Sequence, residues 1–345
     1  MPRVRVRSLL ATVALTAACG GAPAEAPRPA SLFDEVWQAF DAHYAFFELG
    51  AIDWVALGAV YRDSVARPTD ERDRARLLGA MIGRLNDHHA DLRTPYGVFG
   101  APPIPYARHF APDLVRRSYF ADPMRTTPSG RIQYVRLHDG TGYVYLASFG
   151  GSGWGHEIEA VLAALDGARA LVIDIRDNGG GDEQIGRDIA VRFYDRTRVY
   201  RVTQFRDGPA HGDFAKRATT SLSPEGARRF AGPVALLTNR FDGSSAEDFT
   251  LMMRVLPQVV VVGDTTLGLG SNPREVTLSN GWTMRVPQSM QSTPDGFVYQ
   301  WRGLPPTIAV PWTPADTAAG RDPYLDAALA ELRRRLSHSP GGATG

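Results

Sequence analysis

The sequence predicts an α/β protein, a mostly parallel sheet with helices on its faces, preceded by a small helical module. Three observations carry this. The runs ALVIDIR (170–176), VALLTN (234–239) and VVVVGD (259–264) are short, continuous and apolar, as strands buried on both faces are. Amphipathic stretches separate them, GHEIEAVLAALDGA before the first and QIGRDIAVRFY and DFTLMMRVL after it, and such alternation builds parallel sheets with crossover helices. Residues 31–95 instead repeat apolar positions at i, i+3, i+4 and i+7, which is the helical period.

The elements follow in order. MPRVRVR, then SLLATVALTAA and Cys19, has the charged, apolar and small-residue regions of an export signal, with an apolar part too short to cross a bilayer. Cys19, the only cysteine of the 345 residues, follows Thr16-Ala17-Ala18 in a lipobox-like arrangement, so a signal peptide over 1–19 with lipidation at Cys19 is expected. The protein is then expected outside a bacterial cytoplasm, periplasmic or membrane-anchored. Residues 20–30 are a Gly/Ala/Pro tether. LFDEVWQAFDAHYAFF, IDWVALGAVYRDSVA and ARLLGAMIGRLNDHH form the helical module, the last begun by a capping Thr69 or Asp70. Residues 96–131 have no clear period and are expected to be loop with short strands. The core runs over 132–335, opening with a hairpin around Asp139-Gly140-Thr141-Gly142 and containing a second around Asn280-Gly281. Residues 336–345 are expected to be a disordered tail.

Composition narrows the function. A net charge of +1 with 43% apolar and 22% charged residues gives no electrostatic basis for binding nucleic acid. Gly179, Gly180 and Gly181 fit neither phosphate-loop spacing, and Asp174, Asp177, Asp182 and Glu183 beside them repel phosphate. The adjacent His88 and His89 point in different directions on a helix, and there is no HExxH or Cys cluster, so neither metal nor other cofactor is expected.

What remains is the pair of strand ends DIRDNGGG and TNRFDGSSAE. Ligands gather at the carboxyl ends of parallel strands, and both ends carry unusual chemistry. Ser244 in SSAE reads locally as a helix cap with Glu247 completing a capping box. The same position suits a nucleophile, because the helix end stabilises developing negative charge.

IGRLNDHHADL, LVIDIRDNGGG, TNRFDGSSAEDF and VVVVGDTTLGLG occur in the order of the motifs of the C-terminal-processing (tail-specific) and tricorn-core serine peptidases. The resemblance covers about residues 31 to 335, including GLPPTIAV, and implies a crotonase/ClpP-like α/β core. It implies Ser244 as nucleophile, the N–H groups of Ser245 and Gly180 as oxyanion hole, and His89 as base. One branch uses a lysine where this chain has Leu269, and Lys216 lies in an unrelated stretch, so a Ser–Lys dyad is not expected. In the tricorn branch a Ser precedes the histidine and a distant Glu supports it; here those positions are His88 and Gln300. Residues 96–131 are too few for a PDZ domain. The resemblance thus implies a Ser–His serine peptidase of the tricorn-like branch acting on unfolded proteins or oligopeptides. The alternative is a non-catalytic protein holding a peptide or apolar ligand on the same fold. A crotonase-like CoA enzyme would share the fold alone, and nothing basic near the glycines supports it. Oligomeric state is left open.

Overall fold

The computed structural model describes residues 31–67 and 70–338. The expected signal peptide, Cys19 and the tether lie outside the described residues, as do 339–345. No described helix is long and apolar enough to cross a membrane.

The chain opens with α1 (Leu32–His43), α2 (Trp54–Ala66) and α3 (Glu71–Gly83), each started by a side-chain cap. Ser31, Asp53 and Asp70 accept from the N–H groups of Asp34, Ala56 and Arg72, satisfying donors that a helix start leaves unpaired. The expected helical module ends before residue 95. After α3 the chain turns through Asn86, at positive φ, into a hairpin of β1 (Asp91–Thr94) and β2 (Gly97–Gly100). The region read as loop also holds a helix, α4 (Pro112–Tyr119), before β3 (Arg125–Thr126). Its arginine-rich face hid the two buried positions, Leu114 and Val115.

The core then runs β4 (Ile132–Arg136), β5 (Gly142–Leu146), α5 (Ile158–Ala164), β6 (Leu171–Asp174), α6 (Glu183–Ala190), β7 (Arg198–Phe205), β8 (Ala218–Leu222), β9 (Val234–Thr238), α7 (Ser245–Arg254) and β10 (Val259–Gly263). It closes with β11 (Pro273–Thr277), β12 (Thr283–Pro287), β13 (Ser289–Ser292), β14 (Ile308–Ala309), α8 (Pro314–Ala318) and α9 (Pro323–Ser337). Helix α9 carries the fold past the expected boundary at 335, because Leu325, Ala328, Leu329 and Leu332 bury one of its faces.

The main sheet has seven strands in the order β14-β10-β9-β6-β5-β4-β3. Its first five are parallel, and β4 and β3 add antiparallel at one edge. Alternate residues face opposite layers. Leu171, Ile173, Leu236 and Val261 pack with α5, α6 and α7; Val172, Leu237 and Val262 pack with α9. Every residue of β9 and β10 is buried, and such a Leu or Val side chain contributes about 1.5–3 kcal/mol on burial.

Two smaller sheets flank it. The expected hairpin around Asn280-Gly281 forms as β11–β12, with Gly281 at φ 83° in the turn. It does not stay with the core: β12 pairs with β1, joining the hairpin to the N-terminal helices in the sheet β11-β12-β1-β2. A three-stranded antiparallel sheet, β13-β7-β8, stands beside α7.

Candidate active site

The loops after β6 and β9 interlock at the carboxyl edge of the sheet. Asp177 and Asn239 exchange hydrogen bonds: Asn239 Oδ1 accepts from Asp177 N–H at 3.1 Å, and Asn239 Nδ2 donates to Asp177 Oδ1 at 2.9 Å. Asp242 is fully buried and accepts from the N–H groups of Asn178 (3.2 Å) and Asn239 (2.9 Å). Burial raises its carboxyl well above the usual range against those two donors. Gly243 N–H donates to Asn178 O at 3.1 Å, which sets the approach to Ser244. The reading of the sequence missed this interlock; its signal was a density of Asp and Asn directly after two wholly apolar strands.

Ser244 is the N-cap of α7, at φ 57° and ψ −126°. A side chain at such a positive φ costs on the order of 1–3 kcal/mol and turns outward at the helix start. Ser244 is half-buried and lines a cleft of about 480 Å³. Glu247 anchors the strained turn. Its fully buried carboxylate accepts from Ser244 N–H (3.2 Å), Leu269 N–H (2.7 Å), Gly268 N–H (2.8 Å) and Thr266 Oγ1 (2.6 Å). Burial pushes Glu247 up to about 7, while the four donors hold it down. Leu269, where the other branch has lysine, is buried and packs where a Cβ on Gly243 would stand.

The same cleft is lined by Ser245, Gly181 and His89. Ser245 N–H and Gly181 N–H have no acceptor among the described residues, whereas Ser245 Oγ donates to Gly181 O at 2.7 Å. Gly180 departs from its expected role. Its N–H donates to Asn178 Oδ1 at 2.9 Å, so Gly181, the glycine of the three that lines the cleft, is the one whose open amide can serve there. Gly180 instead allows close approach: at φ 96°, a Cβ there would stand 2.8 Å from Ser244 Cβ and 2.9 Å from Ser245 N.

His89 is 6% exposed, and its Nδ1 is buried without a hydrogen-bond partner. Its backbone N–H donates to Asp87 Oδ1 at 2.9 Å, and Asp87 is in turn held by Tyr44 Oη at 3.1 Å. Arg285 of β12 lies directly across from Asp91 of β1 and binds it through Nε at 2.9 Å, also donating to His88 O at 3.3 Å. Burial, and then the Arg285 charge, press the His89 imidazole down from 6.5 to about 4, against the Ser271 carbonyl and Asp91. His89 is therefore neutral at pH 7 and able to accept a proton. An NMR titration of labelled histidine should find His89 near pH 4, and Arg285→Leu should move it upward. Because the unfolded chain takes that proton more readily, His89 withdraws stability as pH falls from about 6.5 to about 4.

His88 lines a separate hollow with Arg76, Gly79 and Phe99. Gln300 is 1% exposed and does not line the cleft. Its Oε1 accepts from Gly270 N–H at 2.8 Å, holding the backbone beside Ser271, and its side chain also bears on Asp87, whose carboxyl it lowers. Ser244 and His89 share the cleft with no hydrogen bond between them; catalytic hydrogen bonds often tighten only with substrate bound.

Known proteins resemble this chain in two regions. Residues 140–310 match the model of peptidase family S41, and residues 27–83 match the tricorn protease C1 domain. Tricorn protease homolog 1 of Streptomyces coelicolor is 29% identical over 219 residues, covering 61% of this chain and 18% of that protein. Carboxy-terminal processing protease CtpB of Bacillus subtilis is 29% identical over 140 residues, 41% of this chain and 27% of its own length. This chain thus spans under a third of these relatives. A solved structure assigned as a peptidase of Parabacteroides merdae superposes with a TM-score of 0.80 at 28% identity, covering 91% of this chain and 98% of that one. With the motifs in order around Ser244 and both domains matched, the chain carries a peptidase family S41 domain, that of serine peptidases, over residues 140–310.

Proposed function

We propose that this protein hydrolyses peptide bonds of unfolded proteins or oligopeptides through a Ser244 acyl-enzyme, with His89 as base. One observation carries the reading: a strained serine at a helix start shares a cleft with a buried neutral histidine whose Nδ1 is unpaired. As Ser244 Oγ bonds to the peptide carbonyl carbon, its proton passes to His89 and the carbonyl oxygen becomes an oxyanion. Ser245 N–H and Gly181 N–H are the donors for that oxyanion, and one such donor typically lowers the barrier by about 2.7–4 kcal/mol. The C–N bond then breaks, and the His89 proton leaves with the amine. Water repeats the sequence to release the acid. Leu269 excludes a lysine base, and Gln300 supports through the backbone rather than by charge. The parallel β-α-β order supports a crotonase/ClpP-like core, and the motif around Cys19 supports an exported lipoprotein.

Cleavage of dye-quenched unfolded casein is the test. Release of dye with new termini mapped by mass spectrometry supports the reading. Casein binding without any cleavage would favour the alternative, a non-catalytic peptide holder.

A further inference from the structure

One wall of the cleft is the face of the three-stranded sheet. Arg201, Thr203 and Phe205 alternate along β7 onto that face, with Thr220 and Ala218 opposite Arg201 and Thr203 on β8. Asp248, one turn beyond Ser244 on α7, pairs with Arg201 Nη1, and Glu183 Oε2 lies 3.2 Å from the same nitrogen. Two groups on this wall are unsatisfied: Arg201 Nε and Thr203 Oγ1 are buried without a partner, in side chains 9% and 7% exposed as residues. Buried polar atoms normally find partners, so two orphans on one face of a substrate cleft mark where a ligand's own groups belong.

The chemistry of the wall restricts that ligand. Arg201 Nε is a donor only, so it needs an acceptor. Asp248 and Glu183 already place two carboxylates on one guanidinium, and Asp182 adds a third to the cleft. Arg285, the other cation of the cleft, is committed to Asp91. A substrate carboxylate would meet a surplus of negative charge. An ammonium or guanidinium could donate to the Thr203 hydroxyl but would leave Arg201 Nε–H without an acceptor, and an apolar side chain would satisfy neither group.

We propose that Arg201 and Thr203 form a side-chain subsite that selects a carboxamide, glutamine or asparagine, in the substrate. The amide oxygen accepts from Arg201 Nε–H and the Thr203 hydroxyl, and the amide nitrogen donates to Asp248 or Glu183. The proposal rests on the peptidase reading of the cleft, and its test is arranged to fail separately from it.

Fluorescent octapeptides, each with one position fixed in turn as Gln, Asn, Glu, Lys or Leu, are titrated against the Ser244→Ala protein, so binding is read without turnover. At one position Gln or Asn should bind about tenfold more tightly than Leu, the equivalent of a hydrogen bond or two. Thr203→Val in the same background should erase most of that ratio, and Thr203→Ser, which keeps the hydroxyl, should retain it. A preference for Glu, for Lys or for Leu, or none at any position, overturns the subsite. So does an unchanged Gln-to-Leu ratio in Thr203→Val. None of these outcomes depends on whether the wild-type protein cleaves casein.

Discussion

Ser244→Ala should lower kcat for peptide hydrolysis by about 10⁴-fold or more, since removing a nucleophile leaves only the catalysis that binding and the oxyanion donors supply. Ser244→Gly should be as inactive and yet more stable than the native chain. The reason lies in the backbone: Ser244 holds φ 57° and ψ −126°, where glycine rests without strain. Relief on the order of 1–3 kcal/mol is offset by the roughly 0.4–1 kcal/mol of extra unfolded-state freedom that glycine brings. A net gain of about 0.5–2 kcal/mol should appear in denaturant unfolding. A glycine variant less stable than Ser244→Ala would show that the turn is not strained, and retained activity in either variant would move the nucleophile elsewhere.

The second large effect is expected at Glu247, which does not touch substrate. Its two carboxylate oxygens each take two donors: Oε1 holds Thr266 and Gly268, Oε2 holds Ser244 and Leu269. Glu247→Gln keeps the shape but points an NH₂ at two of those donors. The Thr266 hydroxyl can turn to accept from that NH₂ but a backbone N–H cannot, so one buried amide loses its acceptor and a loss of about 1–3 kcal/mol in unfolding free energy is expected. The amide of Ser244 is among the four, so kcat should fall even at temperatures where the variant is folded, with KM less affected. Glu247→Gln within 0.5 kcal/mol of the native chain and at full kcat would remove the clamp from the account. A capping-box glutamate that merely starts a helix would cost about 1 kcal/mol and leave kcat of the folded variant unchanged, so the kinetic readout separates the two roles.

The parts of the fold that could be read from the sequence are those written in local patterns. The apolar runs at 170–176, 234–239 and 259–264 became β6, β9 and β10, and the turn glycines at 140 and 281 marked their hairpins. What could not be read depends on partners far along the chain. RVYRVTQF has a strand's composition, but its buried Arg201 breaks the apolar alternation, and only Asp248 and Glu183, brought by α7 and α6, make that burial tolerable. The pairing of β12 with β1 spans almost 200 residues, so the hairpin at 273–287 gave no hint that it would position Arg285 beside His89. At the site, the serine motif pointed to Ser244 and Ser245. The difference between Gly180 and Gly181 rests on one side-chain hydrogen bond from Asn178, which spacing does not encode. Glu247 was visible as a cap, but its hold on residues 266–269 was not, because those contacts lie 19 to 22 residues away.

The central claim is that Ser244 is a nucleophile activated by His89, and a fluorophosphonate tests it directly because only an activated serine reacts quickly. Intact-mass and peptide mapping should find one adduct, on Ser244, in the native chain. His89→Ala should slow its formation by about 10²–10⁴-fold, the usual share of a general base. An adduct on another residue, or an unchanged labelling rate in His89→Ala, would contradict the account.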